Sequence, residues 1–126
     1  MMVVDSDVII WAQRGNAIAE QTLRDLKQFF ISSITYLEVA RGLDNKREIQ
    51  LWKAFLREHD VELLMVDEEI NTKAMYWMED YGLSHKLGVA DALIAATAEN
   101  YGQELLTDNT KDYHFLPVVF VKKFKA

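Results

Sequence analysis

Gly88-Val-Ala-Asp-Ala-Leu-Ile-Ala-Ala-Thr-Ala98 reads as a strong helix that carries a carboxylate on its apolar side. At 100° per residue, Leu87, Ile94 and Ala98 fall within about 60° of Asp91, which sets the acid on or beside the stripe that faces a core. An unpaired carboxylate pressed against a core is costly, so the position calls for a cation, hydrogen-bond donors or an open cleft. The competing explanation is a first-turn acid favoured by the helix macrodipole, at roughly 0.3–1 kcal/mol. For Asp91 alone that plainer explanation suffices. Acids elsewhere in the chain have to overturn it.

Immediately upstream, Asp67 reads as the N-cap of a helix running to about Tyr81, with Ile70, Ala74, Trp77 and Met78 inward and Gly82 as its C-cap. The tryptophans and methionines fit a core better than a cofactor contact. Downstream, Glu104-Leu-Leu-Thr107 is a strand that runs into Asp108-Asn-Thr-Lys-Asp112-Tyr-His-Phe115, and Pro117 to Val121 is a final strand.

At the start of the chain, Met2-Val-Val-Asp5 is a β-branched strand ending in an acid, and Ser6 to Ala12 suits a short helix. Functional groups of open α/β sheets gather beyond strand carboxyl ends, which is where Asp5 falls. An N-cap role accounts for Asp5 equally well, and a first-turn role accounts better for Asp7. Asn16 to Gln28 is an amphipathic helix with Ile18, Ala19, Leu23 and Leu26 on its apolar side, and Phe29 to Ser33 is a strand. Thr35-Tyr-Leu-Glu38 matches a capping box with Thr35 as N-cap, which places Glu38 in a first turn just after a strand. Lys46 to His59 is a helix with Ile49, Trp52, Phe55 and Leu56 on one stripe, and Val61 to Val66 is strand-like.

The length of 126 residues fits a single domain, residues 1–126, and a hydrophobic share of 50% supplies a real core. With no cysteine, thiolate metal sites, disulfide frameworks and cysteine nucleophiles are excluded. No apolar run approaches the roughly 18 residues of a membrane span, and no secretory leader is visible, so a soluble cytoplasmic protein is expected. The net charge of −6 argues against gripping nucleic acid through a general basic field. His59, His85 and His114 share no metal-ligand spacing, and neither a serine nucleophile elbow nor a phosphate-binding glycine loop is present.

Short strands alternating with helices predict an α/β fold, a three-layer α/β/α sandwich around a central, mostly parallel sheet. Asp5, Glu38, Asp91 and the Asp108 to Asp112 group would then meet at one sheet edge. Helix capping explains each acid separately but not an apolar helix that tolerates Asp91. Hard oxygen donors without cysteine or paired histidines suit Mg²⁺ or Mn²⁺, and phosphoryl transfer is the chemistry such a site does best.

Four stretches carry a resemblance: Val3-Val-Asp5-Ser-Asp-Val-Ile-Ile10, Ser33-Ile-Thr-Tyr-Leu-Glu38-Val-Ala-Arg-Gly42, Gly88 to Ala98, and Leu106-Thr-Asp-Asn109-Thr-Lys-Asp112-Tyr113. In order and spacing they resemble the four motifs of PIN-domain ribonucleases, and within that family most resemble the VapC toxins of toxin–antitoxin pairs. The resemblance covers essentially the whole chain. It implies an Mg²⁺- or Mn²⁺-dependent endoribonuclease that usually dimerises and is inhibited by a small cognate antitoxin covering the acidic groove. It implies Asp5 and Asp91 as metal ligands, Glu38 as a direct or water-mediated ligand, and Asp112 as the fourth acid with Asn109 supporting. Ser6 and Thr107 match small hydroxyl positions near the site, and Asp108 falls at a variable one. Lys111, Arg41, Lys86 and the Lys122 to Lys125 tail are candidate phosphate contacts, though each also fits a solvated surface charge.

Two other function classes remain open at this level. One is a PIN-fold RNA- or partner-binding protein, inactive or housekeeping. The other is an acid-cluster hydrolase of small phosphate esters, distinguished by turnover of a chromogenic phosphomonoester.

Overall fold

The computed structural model describes residues 1–116 and 121–125. Along the chain lie β1 (Met2–Val4), α1 (Ser6–Gln13), α2 (Ala17–Leu26), β2 (Phe30–Ser32), α3 (Ser33–Arg41), α4 (Lys46–Glu58), β3 (Glu62–Leu64), α5 (Glu68–Tyr81), α6 (Val89–Asn100), β4 (Glu104–Thr107), a short 3₁₀ turn (Thr110–Asp112) and β5 (Val121–Lys123). The strand expected over Pro117 to Val121 lies, but for Val121, outside the described residues.

The sheet runs β3-β2-β1-β4-β5, and each of these neighbours pairs in parallel. Alternation along the strands divides the core. Val3 and Leu105 face a cluster with Ile70, Trp77, Ile94 and Tyr113, whereas Met2, Val4 and Leu106 face another with Val8, Leu23, Phe29 and Trp52. With period-two side chains, a strand covered on both sides must be apolar throughout, as β1 is. Helices α5 and α6 cover one face and α1, α2 and α4 the other, which makes the α/β/α sandwich. Helices as short as α1, with 8 residues, are marginal alone. Val8 and Ile9 on α1 are fully buried, at roughly 1.5–3 kcal/mol for each side chain of that size. Packing, rather than propensity, therefore holds that helix.

Helix starts follow cap chemistry. Asn16, Asn45 and Asp67 each accept, at 2.9 Å, the N–H three residues on. Two local expectations fail. Helix α3 begins at Ser33 with Ser32 as its N-cap, so the capping box is absent; Thr35 and Glu38 sit inside the helix and point to other elements. Gly82, by contrast, is the C-cap of α5 as expected, with a right-handed helical backbone; a Cβ there would come 2.4 Å from the Met78 carbonyl oxygen, so the position needs glycine for space. Ile18 and Ile49 are exposed rather than inward, since α2 and α4 enter the core through Leu23 and Trp52.

Candidate functional site

The strand order places a switch point between β1 and β4, because the connections leave β1 on one side for β2 and β3 and return on the other for β4 and β5. The crevice beyond the carboxyl ends of those two strands is where open α/β sheets bind ligands. Asp5 follows β1 there, and Thr107 ends β4.

Asp5 fills both roles open to it. Its Oδ1 accepts the Ser6 N–H at 2.8 Å as the helix cap, while its Oδ2 accepts from Thr107 Oγ1 at 2.8 Å and from the Tyr113 hydroxyl at 2.8 Å. Only 6% of the residue is exposed. Burial, reinforced by the charge of Asp7, pushes the Asp5 carboxyl up to about 7 despite the hydrogen bonds that favour its ionised form.

Asp91 stands in the first turn of α6 and also reaches the crevice, where its Oδ1 lies 3.0 Å from the Tyr113 hydroxyl. Burial raises its pKa, and the charges of Asp112, Glu38 and Asp7 add to the rise. One phenol thus stands between two carboxylates from opposite ends of the chain. Burial and the two carboxylates drive the Tyr113 pKa far above its ordinary value, so Tyr113 keeps its proton and acts as a donor.

Glu38 is exposed, and its Oε1 accepts from Ser6 Oγ at 2.6 Å. Ser6 Oγ also lies 3.1 Å from the buried Thr35 Oγ1, which joins α3 to α1. Asp112 is half-buried in the 3₁₀ turn and bears on Asp91 electrostatically. Asp108 bears on Asp7 instead. The Asn109 N–H donates to Thr107 Oγ1 at 3.1 Å, which fixes the loop and leaves the residue exposed. Arg41, Lys86 and Lys111 are exposed, whereas Lys123 donates to the Asp108 carbonyl at 3.1 Å.

Two participants fall outside the site expected from the sequence. Tyr113 is one, buried at 1% exposure, and its signal was its place directly after Asp112. Asp7 is the other. Its Oδ2 accepts the Asp108 N–H at 2.9 Å and lies 3.2 Å from Thr107 Oγ1, so it holds the end of β4 rather than merely flattering a helix dipole.

The hydroxyl protons do not go round. Thr107 faces Asp5 and Asp7, and Tyr113 faces Asp5 and Asp91, so two protons meet four oxygen contacts. The deficit is made good by a proton on a carboxyl or by a cation, and an all-oxygen donor set suits Mg²⁺ or Mn²⁺. Among the described residues no three acids stand as close as a closed metal cage needs. Mg²⁺ asks for less, since it keeps several waters and takes one or two carboxylates. Asp5 and Asp91 therefore fit it. A hollow of about 660 Å³ along α5, lined by Glu68, Glu69, Tyr76, Trp77 and Asp80 among others, shares none of these acids.

Residues 2–115 match the PIN domain family. The chain is a member of that family. Its PIN-domain relatives include Ribonuclease VapC of Rickettsia bellii, 31% identical over 122 residues that cover 92% of this chain and 90% of that protein. Ribonuclease VapC10 of Mycobacterium tuberculosis is 30% identical over 119 residues, 91% of this chain and 86% of that protein. Among solved structures, a toxin–antitoxin complex from Klebsiella pneumoniae superposes with a TM-score of 0.76 at 28% identity, covering 98% of this chain and 100% of that one. DNA-bound VapBC from Salmonella typhimurium reaches 0.83 at 19% identity over 98% of each chain, a likeness of fold.

Proposed function

We propose that this chain is a ribonuclease of the VapC kind, the toxin of a type II toxin–antitoxin pair, and that it cuts RNA internally with a divalent cation held by Asp5 and Asp91. The observation that carries the cation is the shortage of protons around Asp5, Asp7 and Asp91. When bound, Mg²⁺ or Mn²⁺ offsets the charge that develops on the scissile phosphate and makes water a stronger nucleophile.

The chain's own groups do the rest. Thr107 and Tyr113 fix the Asp5 carboxylate in the crevice. Ser6 holds one oxygen of Glu38, which leaves the other to orient a water and take its proton. Water's oxygen bonds to phosphorus as one ester P–O bond breaks, so the products are a phosphate monoester and an alcohol, and no covalent enzyme intermediate is needed. Asp112 supplies the fourth carboxylate, with Asn109 as its polar support and Asp108 further off. An acidic chain repels RNA until a cation reverses the local sign.

The toxin–antitoxin complex among its structural neighbours supports an antitoxin as partner; the proposal adds that this partner is small and covers the acidic edge, and that the working form is a homodimer. The chain acts as a single nuclease domain, in the cytoplasm where its substrate lies. Among the described residues no helix is long and apolar enough to cross a membrane.

The test incubates purified protein with single-stranded RNA in chelator and in Mg²⁺ or Mn²⁺. Cleavage is expected only with metal, and Asp5→Asn and Asp91→Asn each abolish it with helical circular dichroism intact. Full activity in either variant, or turnover of a phosphomonoester in place of RNA, overturns the reading.

A further inference from the structure

We propose that His85 and Phe115 form a stacking platform for one unpaired base of the RNA, beside the acid crevice; this rests on the ribonuclease reading. The two rings lie nearly parallel, at 17°, with centroids 4.1 Å apart. Tyr81 braces both, at 5.7 Å from His85 and 5.4 Å from Phe115, and His114 adds a ring 6.1 Å from Phe115. Tyr81 and Phe115 are partly buried against the core, so the inner end of the stack is anchored. His85 at the other end is exposed. A stack serving the core alone has no need to finish in an open ring.

Its position ties it to the acids. Phe115 is two residues past Tyr113, a backbone reach of about 7 Å at most, and Tyr113 touches Asp5 and Asp91. His85 lies three residues before Gly88, the N-cap of the helix that carries Asp91. Cations lie close by along the chain: Lys86 follows His85, and Lys111 stands three residues before His114 with its carbonyl oxygen 3.1 Å from His114 Nδ1, both lysines being exposed. Lys86 holds φ of +52°, a left-handed backbone that glycine or asparagine adopts more easily. In a chain of net charge −6 these cations do not belong to a general basic surface.

Aromatic rings next to isolated cations are the chemistry that takes single-stranded RNA, because every base has a π-face and every nucleotide a phosphate. Ring stacking is tolerant of base identity, so the platform sets how an unpaired strand lies across the crevice more than which base it presents.

The probe is a short single-stranded oligoribonucleotide carrying 2-aminopurine, followed by fluorescence quenching and by cleavage of the same strand in Mg²⁺. His85→Leu fills the space without a π-face, and His85→Tyr restores one. His85→Leu is expected to raise KM at least fivefold with kcat within twofold, and to lose the quenching; His85→Tyr recovers both. Wild-type KM and quenching in His85→Leu overturn the platform while leaving the ribonuclease intact. So does a His85→Tyr protein that melts normally but does not recover. Loss of a copurifying protein with RNA binding unchanged makes the stack a protein contact and overturns it too. If the wild-type chain neither binds nor cuts RNA, the ribonuclease reading fails first and takes the platform with it.

Discussion

The carboxylate of Asp7 accepts the backbone N–H of Asp108 at 2.9 Å and so ties the first turn of α1 to the end of β4. Asp7→Ala leaves that donor unpaired, at about 1–3 kcal/mol. For a domain of this size the melting point then falls by roughly 3–13 °C. Asp7→Asn keeps an oxygen acceptor and removes a charge that burial disfavours, so it is expected to melt near wild type or above it. Differential scanning fluorimetry of the two variants checks this. Equal losses would mean that the tie does not matter.

Asp5 makes the metal-free protein sensitive to pH. Its carboxyl is raised from 3.8 to about 7 in the fold. A raised folded pKa contributes stability that is fully present below the unfolded value and is lost as pH rises through the folded one, here from about 4 to about 7. Asp5→Asn has no proton to lose. In chelator, its melting point relative to wild type should therefore climb across that window and level off above it. A difference that stays flat from pH 4 to 8 would show that Asp5 is ordinarily ionised.

Divalent cation should stabilise the fold by binding the native state alone, by about 1.4 kcal/mol at tenfold excess over Kd, or roughly 3–6 °C. The gain should grow as pH rises through 7, because the proton on Asp5 competes with the metal. Asp91→Asn should melt no lower than wild type in chelator and lose most of the metal response. An unchanged response would return Asp91 to the role of a helix-start acid.

Tyr113→Phe removes the donor shared by Asp5 and Asp91 without opening a cavity. The carboxylates then face each other with one hydroxyl proton fewer. The variant is expected to be less stable than wild type in chelator by about 1–3 kcal/mol, and to gain more than wild type from Mn²⁺. A metal response no larger than wild type would show that the phenol supports ligand geometry rather than charge.

For the fourth carboxylate, Asp112→Asn should lower RNA cleavage more than Asp108→Asn does, because Asp112 bears on Asp91 and Asp108 on Asp7. Single-turnover rates on one RNA compare them directly. A reversed order would transfer the role to Asp108.

Much of the fold was legible because its signals are local. Asp67 announced its helix through cap chemistry, α2 was legible from its amphipathic pattern, and Glu104 to Thr107 emerged with the expected bounds. The three-layer arrangement followed from strands alternating with helices, and the match over residues 2–115 agrees with the four motifs in order. Thr35 and Glu38 misled for an instructive reason. Their spacing satisfies a capping box, but Ser32 captures the helix start and frees both side chains to meet Ser6 across α1. Nothing within the local sequence distinguishes those outcomes.

By itself, then, the sequence determined which acids the chain owns, that Asp5, Asp91 and Asp108 each follow a strand or open a helix, and that an apolar helix bears Asp91. Tertiary structure alone decided which oxygens face one another. Tyr113 joins Asp5 to Asp91, and Asp7 joins Thr107 to Asp108, only because parallel pairing of β1 with β4 brings residues about a hundred positions apart to one crevice. Capping energies act within a turn of helix, whereas burial and the Coulomb field of neighbouring acids act across space. The raised pKa of Asp5 and the shortage of protons around it are consequences of that packing.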